Sequence, residues 1–309
     1  MRALSIGECM AEMAPTDRSQ DYRLGFAGDT FNTAWYLARS APNVQVSYLT
    51  VVGDDAISAQ MTAFMRDSGI DDGPIRISSD KTIGLYMISL DNGERSFSYW
   101  RDQSAARALA DDADHLRKAM AVVDVIYFSG ITLAIFSNDG RSTFINALKE
   151  ARAMGKKIVF DPNLRPKLWT SMGAMRDAIM EGAAVSDIAL PSYEDEAQWF
   201  DEKTPQATAR RYLNAGADTV IVKNGSGTVV FVKDGTWCEI LVEPVADLVD
   251  TTAAGDSFNA GFLTGYANGS TIQDSVAFAC KLARAVVQQR GALVPIELDG
   301  LALDEKTEG

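Results

Sequence analysis

Along the chain, short runs of aliphatic and β-branched residues alternate with longer stretches in which apolar positions return every three or four residues. The short runs lie at residues 3–6, 45–52, 122–128, 157–160, 187–190 and 219–222, and they are apolar almost without interruption. Strands of that kind are buried on both faces. The longer stretches, residues 30–40, 56–68, 140–154, 172–184 and 205–215, read as amphipathic helices. Strand–helix alternation predicts an α/β fold with a mostly parallel central sheet and helices on both faces. One region departs from this rhythm. Residues 84–90 and 96–100 flank Asp91-Asn92-Gly93-Glu94, and an Asn-Gly pair between two alternating runs is a hairpin signal. That hairpin is expected to be an outlying piece of sheet covering a site.

Composition adds bounds rather than detail. At 309 residues the chain suits one large domain, 1–309, with a small appendage. It has 42 acidic against 29 basic residues, a net charge of -13, which disfavours a nucleic-acid partner; solubility alone would also account for the charge. An anionic substrate would therefore need its own local Arg or Lys. Three scattered cysteines, Cys9, Cys238 and Cys280, form neither a disulfide framework nor a metal spacing. The one histidine, His115, sits in a polar helical stretch and reads as a surface residue. The longest apolar region, residues 119–136, is broken by Asp124, Ser129, Gly130 and Thr132 and reads as a buried strand and its following loop, not a membrane span. The opening residues, MRALSIGECM, lack the long apolar stretch of a signal peptide, so a cytoplasmic protein is expected. The last residues, from about Asp299, are acidic and expected to fray.

The strongest chemical signal is Asp250-Thr251-Thr252-Ala253-Ala254-Gly255-Asp256-Ser257-Phe258. It follows an extended run, residues 240–249, and opens a helical stretch, residues 257–267. Small residues at a helix start leave backbone N–H groups open to an anion, which the helix dipole also favours. Asp256 beside such a site can accept a proton from a hydroxyl that attacks phosphorus. An aspartate at a helix start is also a common N-cap, and the residues alone leave both roles open.

This stretch resembles the signature D-T-x-G-A-G-D-x-F of the ribokinase-like (PfkB) carbohydrate kinases. Gly28-Asp29-Thr30-Phe31-Asn32-Thr33-Ala34 is similar to the family's first signature, and Lys223-Asn224-Gly225-Ser226-Gly227 to its nucleotide loop. The three occur in the family's order and span essentially the whole chain. Gly7-Glu8-Cys9-Met10, Gly84-Leu85-Tyr86, the run Glu94 to Arg101, and Asp161-Pro162-Asn163-Leu164-Arg165-Pro166 narrow the resemblance to bacterial 2-keto-3-deoxygluconate kinases. The resemblance implies a ribokinase-like three-layer α/β fold with a small β-sheet lid formed by segments around 10–28 and 82–103. It implies transfer of the ATP γ-phosphate to the terminal hydroxyl of a sugar acid, giving 2-keto-3-deoxy-6-phosphogluconate, with Asp256 as base and Gly255, Ala254 and Ala253 framing the anion hole.

Carried over to this chain, Gly28, Asp29 and Asn32 contact the sugar from one side, and Tyr86, Tyr99 and Arg101 from the lid. Arg165 reaches the substrate carboxylate or the transferred phosphate, with Asn163 nearby. A carboxylate favours the planar, bidentate guanidinium of arginine, and both arginines fall where sites form in open α/β sheets. Alone, Arg101 would read as a solvated hairpin charge, Arg165 as a structural ion pair, and Tyr86 as hairpin packing. Glu12 matches a position that is often acidic in the family. Lys223, Gly225 and Gly227 match the nucleotide loop, and the helix at residues 274–289 is expected to line the adenine pocket. Mg2+ accompanies ATP. Family members often carry a monovalent cation, K+, beside the Asp-Thr signature, here Asp250 and Thr252. A homodimer or higher homo-oligomer through the lid is the expected assembly. The alternative is a kinase of a neutral sugar, of fructokinase or ribokinase type, in which two arginines would lack an anionic partner. A gluconate is not separable from its galactonate epimer in the sequence.

Three departures from the family pattern stand out. Ala27 and Ala253 replace commoner glycines, which is harmless where neither needs a positive φ. Where relatives have N-x-x-E, this chain has Ser192 and Asp195, with Glu194 and Glu196 as neighbouring alternatives.

Overall fold

The computed structural model describes residues 1–18, 20–91 and 94–297. Its central sheet has eight strands in the spatial order β14 (Thr236–Leu241), β13 (Thr228–Lys233), β12 (Thr219–Val222), β11 (Ile188–Ala189), β10 (Lys157–Asp161), β9 (Val125–Ser129), β1 (Arg2–Ile6) and β4 (Gln45–Leu49). Every neighbouring pair from β12 to β4 is parallel, and the pairs β12–β13 and β13–β14 are antiparallel. Four further strands form a small separate sheet, ordered β3 (Tyr22–Ala27), β2 (Met10–Pro15), β7 (Leu85–Asp91) and β8 (Glu94–Trp100). The strands β5 (Val51–Gly53) and β6 (Arg76–Ser78) pair with each other. The helices are α1 (Asp29–Ser40), α2 (Ala56–Asp67), α3 (Ala113–Ala121), α4 (Gly130–Ile135), α5 (Asn138–Ala153), α6 (Met172–Ala184), α7 (Tyr193–Phe200), α8 (Pro205–Ala215), α9 (Ala254–Ala267) and α10 (Ile272–Val287).

The near-continuous apolar strands have the expected consequence. Successive side chains of a strand point to opposite faces, so β9 sends Val125 and Tyr127 into one core and Ile126 and Phe128 into the other. The first core is closed by Phe31 and Tyr36 of α1, Phe262 of α9, and Val276 and Leu282 of α10. The second is closed by Met120 of α3, Leu133 of α4, Phe144 of α5, Ile179 of α6 and Tyr212 of α8. Two helical layers thus sandwich the sheet. Helix α9 packs so tightly on α10 that a β-carbon on Gly261 would lie 2.7 Å from the α-carbon of Ala279. That close approach sets where the N-terminus of α9 points.

Several boundaries differ from the sequence reading. The run 45–52 breaks at Thr50 into β4 and β5, which belong to different sheets. In the apolar region 119–136, the part after the strand is helix α4, not a loop, because the Ser129 hydroxyl caps it by accepting from Thr132 N at 3.3 Å. Only residues up to Leu241 of the run 240–249 are strand, and α9 starts at Ala254 rather than 257. His115 is half-buried, with Nε2 2.7 Å from the Pro74 carbonyl, so it ties α3 to a loop. The Asn92-Gly93 turn and the acidic segment from Asp299 lie outside the described residues. Among the described residues, no helix is long and apolar enough to cross a membrane.

Candidate active site

In a parallel sheet, the carboxyl ends of the strands and the following turns form the natural crevice. Here Glu8 follows β1, Asp161 ends β10, Ser192 follows β11 and Lys223 follows β12. Helices α1 and α9 bring their N-termini to the same edge, and the small sheet stands beside it. Together they enclose one cleft of about 1340 Å³. It is lined by Gly28, Asp29, Asn32, Tyr86, Tyr99, Arg101, Asn163, Arg165, Lys223, Gly225, Thr252, Ala253, Ala254, Gly255 and Asp256. Gly28 and Asp256, 228 residues apart in sequence, thus share one surface.

Helix α9 begins with no side-chain cap, and its first-turn amides have no intrahelical acceptor. Ala253, at the N-cap, has φ +59° and ψ +16°, so this position does adopt the left-handed region, and alanine in place of glycine is strained here. Ala27, by contrast, is an ordinary residue of β3. Asp256 lies in the first turn of α9 and accepts a hydrogen bond from Asn32 Nδ2 at 2.8 Å. Asn32 is held in turn by the tight start of α1, where its Oδ1 accepts from Gly28 N at 3.3 Å. A β-carbon on Gly28 would sit 2.1 Å from the Glu8 carbonyl oxygen, so only glycine lets α1 approach β1 this closely. The carboxyl of Asp256 is pushed up to about 8, chiefly by burial and then by the charge of Asp29; the Asn32 hydrogen bond and Lys223 oppose the rise. Asp29 accepts from Thr30 N at 2.8 Å and from Asn163 Nδ2 at 2.7 Å, and burial raises its own pKa.

The small sheet supplies the other wall. Tyr86 and Tyr99 face each other across the β7–β8 pair with ring centroids 5.9 Å apart. The Tyr86 hydroxyl donates to Glu12, and burial with that carboxylate holds the phenol well above its usual range. Glu12 therefore serves Tyr86 and does not line the cleft. Arg101, just past β8, is only 8% exposed and forms an ion pair with the buried Glu8. It is not the solvated hairpin charge that its position allowed. Arg101 Nε and Glu8 Oε1 are both buried without a hydrogen-bond partner. Arg165 has a 50% exposed side chain and pairs with Asp195 at 3.4 Å. Burial raises the pKa of Asp195 despite that arginine.

At the opposite end, Cys280, Ala283 and Val287 of α10 line the cleft with Val242, Val245 and Leu248, an apolar stretch of wall. Arg284 of α10 pairs with Glu243 at its rim. Two expectations shift. Gly227 lies off the cleft wall and its amide closes the 224–227 turn on the Asn224 carbonyl at 2.7 Å. Asp250 also lies off the wall: its carboxylate accepts from Thr252 N at 3.1 Å, Thr252 Oγ1 at 2.7 Å and Gly291 N at 2.8 Å. A K+ ion there would share a carboxylate that already has three protein donors. Among the described residues, no group of three or more His, Cys, Asp or Glu side chains is arranged for a metal. Mg2+ binds mainly through phosphate oxygens and one or two carboxylates, and Asp195 and Asp161 line the cleft.

Sequence reasoning passed over Glu8, Asp161, Asn259 and Tyr127 as site residues. The available signals were a carboxylate closing the apolar strand β10, and an asparagine one helical turn beyond Asp256 on an otherwise apolar helix.

Residues 2–298 match the family model described as pfkB family carbohydrate kinase. The chain is 38% identical over 303 residues to a 2-dehydro-3-deoxygluconokinase of Dickeya dadantii, covering 94% of this chain and 96% of that protein. It is 37% identical over 296 residues to a 2-dehydro-3-deoxygluconokinase of Haemophilus influenzae, covering 94% of each. Among solved structures, the PfkB protein from Polaromonas sp. JS666 matches with a TM-score of 0.83 at 25% identity, covering 93% of this chain and 95% of that one.

Proposed function

The chain belongs to the pfkB family of carbohydrate kinases, and from that premise we propose that it phosphorylates 2-keto-3-deoxygluconate (2-dehydro-3-deoxygluconate) on its terminal hydroxyl with ATP. The observation that carries this reading is the content of a single cleft. A carboxylate base and an uncapped helix N-terminus stand on one wall, and a buried arginine stands on the other. The curated relatives named above support the same substrate.

In this reading the sugar lies between Gly28, Asp29 and Asn32 on one side and Tyr86, Tyr99 and Arg101 on the other. Arg101 and Arg165 are the cations available to the carboxylate and to phosphate. The substrate hydroxyl gives its proton to Asp256 as its oxygen bonds to the γ-phosphorus; the bond from that phosphorus to the bridging oxygen breaks and ADP leaves. The backbone amides of Gly255 and Asp256 receive the charge that develops on the phosphoryl oxygens, while Ala254 N is held by the Thr251 carbonyl at 3.2 Å. Mg2+ would neutralise the phosphates beside Asp195 and Asp161. The apolar wall formed by α10 and residues 242–248 takes the adenine, and Lys223 with Gly225 the phosphates. Dependence on ATP agrees with a cytoplasmic enzyme. The exposed apolar residues Leu24 and Trp100 of the small sheet, which we read as a lid, support pairing with a second copy.

One observation favours a second reading. Both arginines already have carboxylate partners, Glu8 and Asp195, so the cleft could tolerate a neutral sugar such as fructose or ribose. A coupled ADP-release assay with ATP and Mg2+ separates the two. A strong preference for the keto-deoxy sugar acid is expected; faster turnover of fructose or ribose would move the assignment to the neutral sugars.

A further inference from the structure

Beneath the N-terminus of α9 lies a buried set of polar side chains whose mutual hydrogen bonds the reaction described above does not account for. Asp161, the last residue of β10, is 3% exposed, and Asn259 and Tyr127 are buried with it. All bear on Lys223. Its Nζ lies 3.2 Å from Asp161 Oδ2 and 3.1 Å from Asn259 Oδ1. Asn259 Nδ2 donates to the same Asp161 oxygen at 2.7 Å and to the Tyr127 hydroxyl at 3.0 Å. The spacing of α9 explains the arrangement. Residues three apart share a helix face, so the turn that shows Asp256 to the cleft also sends Asn259 down onto β9 and β10.

The position of the ammonium group is informative. A β-carbon on Gly255 would lie 3.6 Å from Lys223 Nζ, so the cation stands directly against the first-turn backbone of α9. Lysine has three N–H donors. Asp161 and Asn259 take two, and the third is left for the cleft that Lys223 lines. A buried ion pair is a poor device for stability, since desolvation offsets much of its attraction and apolar residues pack as well. It is a good device for holding a flexible cation in one place. Lysine otherwise has four rotatable bonds and loses side-chain entropy when it is fixed.

We infer that Asp161 and Asn259 are positioning residues that hold the Lys223 ammonium at the N-terminus of α9, where it meets the phosphoryl group in transfer. This inference rests on the kinase reading. A cation fixed before the reaction stabilises charge developing on the phosphoryl and leaving oxygens without reorganising at that moment. After burial and Asp29, the charge of Asp161 also raises the Asp256 carboxyl, and Lys223 opposes the rise, so the network bears on the base as well as on the phosphate.

The test is a double-mutant cycle on the full chain, with ATP, Mg2+ and the preferred sugar. Asp161→Asn keeps the shape and removes the charge. It should lower kcat by ~10²-fold, the cost of a misplaced catalytic group, while changing KM for the sugar little. It should also move the acid limb of kcat/KM toward lower pH, because one negative neighbour of Asp256 is gone; a merely structural role would leave that limb in place. Lys223→Met should lower kcat at least as much, and adding Asp161→Asn to it should cost little more, because the two act as one unit. Fully multiplicative losses, or a kcat for Asp161→Asn within threefold of the unaltered enzyme, would overturn the inference. If Asp161→Asn does not fold, Asn259→Ala takes its place in the same cycle with the same criteria, without the pH shift. An unaltered enzyme that transfers phosphate to no sugar would overturn the kinase reading and this inference together; normal wild-type turnover with unaffected variants overturns the inference alone.

Discussion

At the end of the cleft proposed for the phosphates, Asp161, Lys223, Asn259 and Tyr127 are buried, and each has at least two polar partners drawn from other elements. At the end proposed for the sugar, the wall is a four-stranded sheet in which Tyr99 is 53% and Trp100 57% exposed. Its principal polar tie to the main body among the site residues is the single Arg101–Glu8 pair. The difference follows from what each end must do. Charge transfer is helped by groups fixed before the reaction begins, where water cannot screen them. A recognition surface can be completed by the ligand itself, because binding offsets the ordering cost. The buried end should therefore govern kcat, and the exposed end KM.

The sharpest way to break this division is at the base. Asp256→Asn should lower kcat by ~10²–10⁴-fold while the fold and ATP binding persist, as read by steady-state kinetics and calorimetry. Full turnover by the variant would remove Asp256 from the mechanism. The same variant has a stability signature. The ordinary Asp value is 3.8, and burial with Asp29 pushes this carboxyl up to about 8. Between those values the folded protein keeps a proton that the unfolded chain releases, so stability falls as pH rises through that window. Asp256→Asn should accordingly raise Tm at pH 8 and leave it unchanged near pH 4. An equal shift at both pH values would mean that the carboxyl is not held protonated by its surroundings. In the native enzyme, activity governed by this base should climb as pH approaches 8.

A second variant probes the sugar end. Arg101→Ala should raise KM for the sugar acid ~10- to 100-fold, the worth of a charge-assisted hydrogen bond, and should affect a neutral sugar far less. It also leaves Glu8 buried and unpaired, which costs ~3–5 kcal/mol and lowers Tm. The two effects separate in the double variant Glu8→Gln with Arg101→Ala, in which Tm should recover and KM should not. Recovery of both would make Arg101 a structural tie and return the neutral-sugar reading to the front.

The smallest effect lies at Ala253. Its φ of +59° costs an L-residue roughly 1–2 kcal/mol, partly matched by the extra unfolded-state freedom of glycine. Ala253→Gly should therefore raise Tm by about 2 °C, measured by differential scanning calorimetry. A fall in Tm would show that neighbouring packing, rather than backbone conformation, dominates at this turn.

Much of the fold was legible because its determinants are local. The apolar runs of β1, β10 and β12 and the three- to four-residue periods of α6 and α8 need only neighbouring residues to be read, and their boundaries agree with the structure within about a residue. Where a competing local signal won, the reading slipped. The Ser129 cap turned an expected loop into α4, and the run 240–249 stopped being strand at Leu241, the last residue for which β13 offers a partner.

For the site, the sequence by itself determined which chemistry was on offer: a small-residue helix start carrying Asp256, a lysine-glycine loop, and arginines beside a hairpin and after a strand. Tertiary structure alone decided who meets whom. Asn32 reaches Asp256 across 224 residues, Glu8 reaches Arg101 across 93, and Asp161 reaches Lys223 across 62. Burial beside Asp29 converts a possible cap into a carboxyl poised near neutrality, and the Glu8 partnership converts a possible surface charge into a buried ion pair. The physical reason is that a residue's propensity and period are properties of its own stretch of chain. Its charge state, burial and orientation are set instead by whichever strand end or helix the sheet order places beside it.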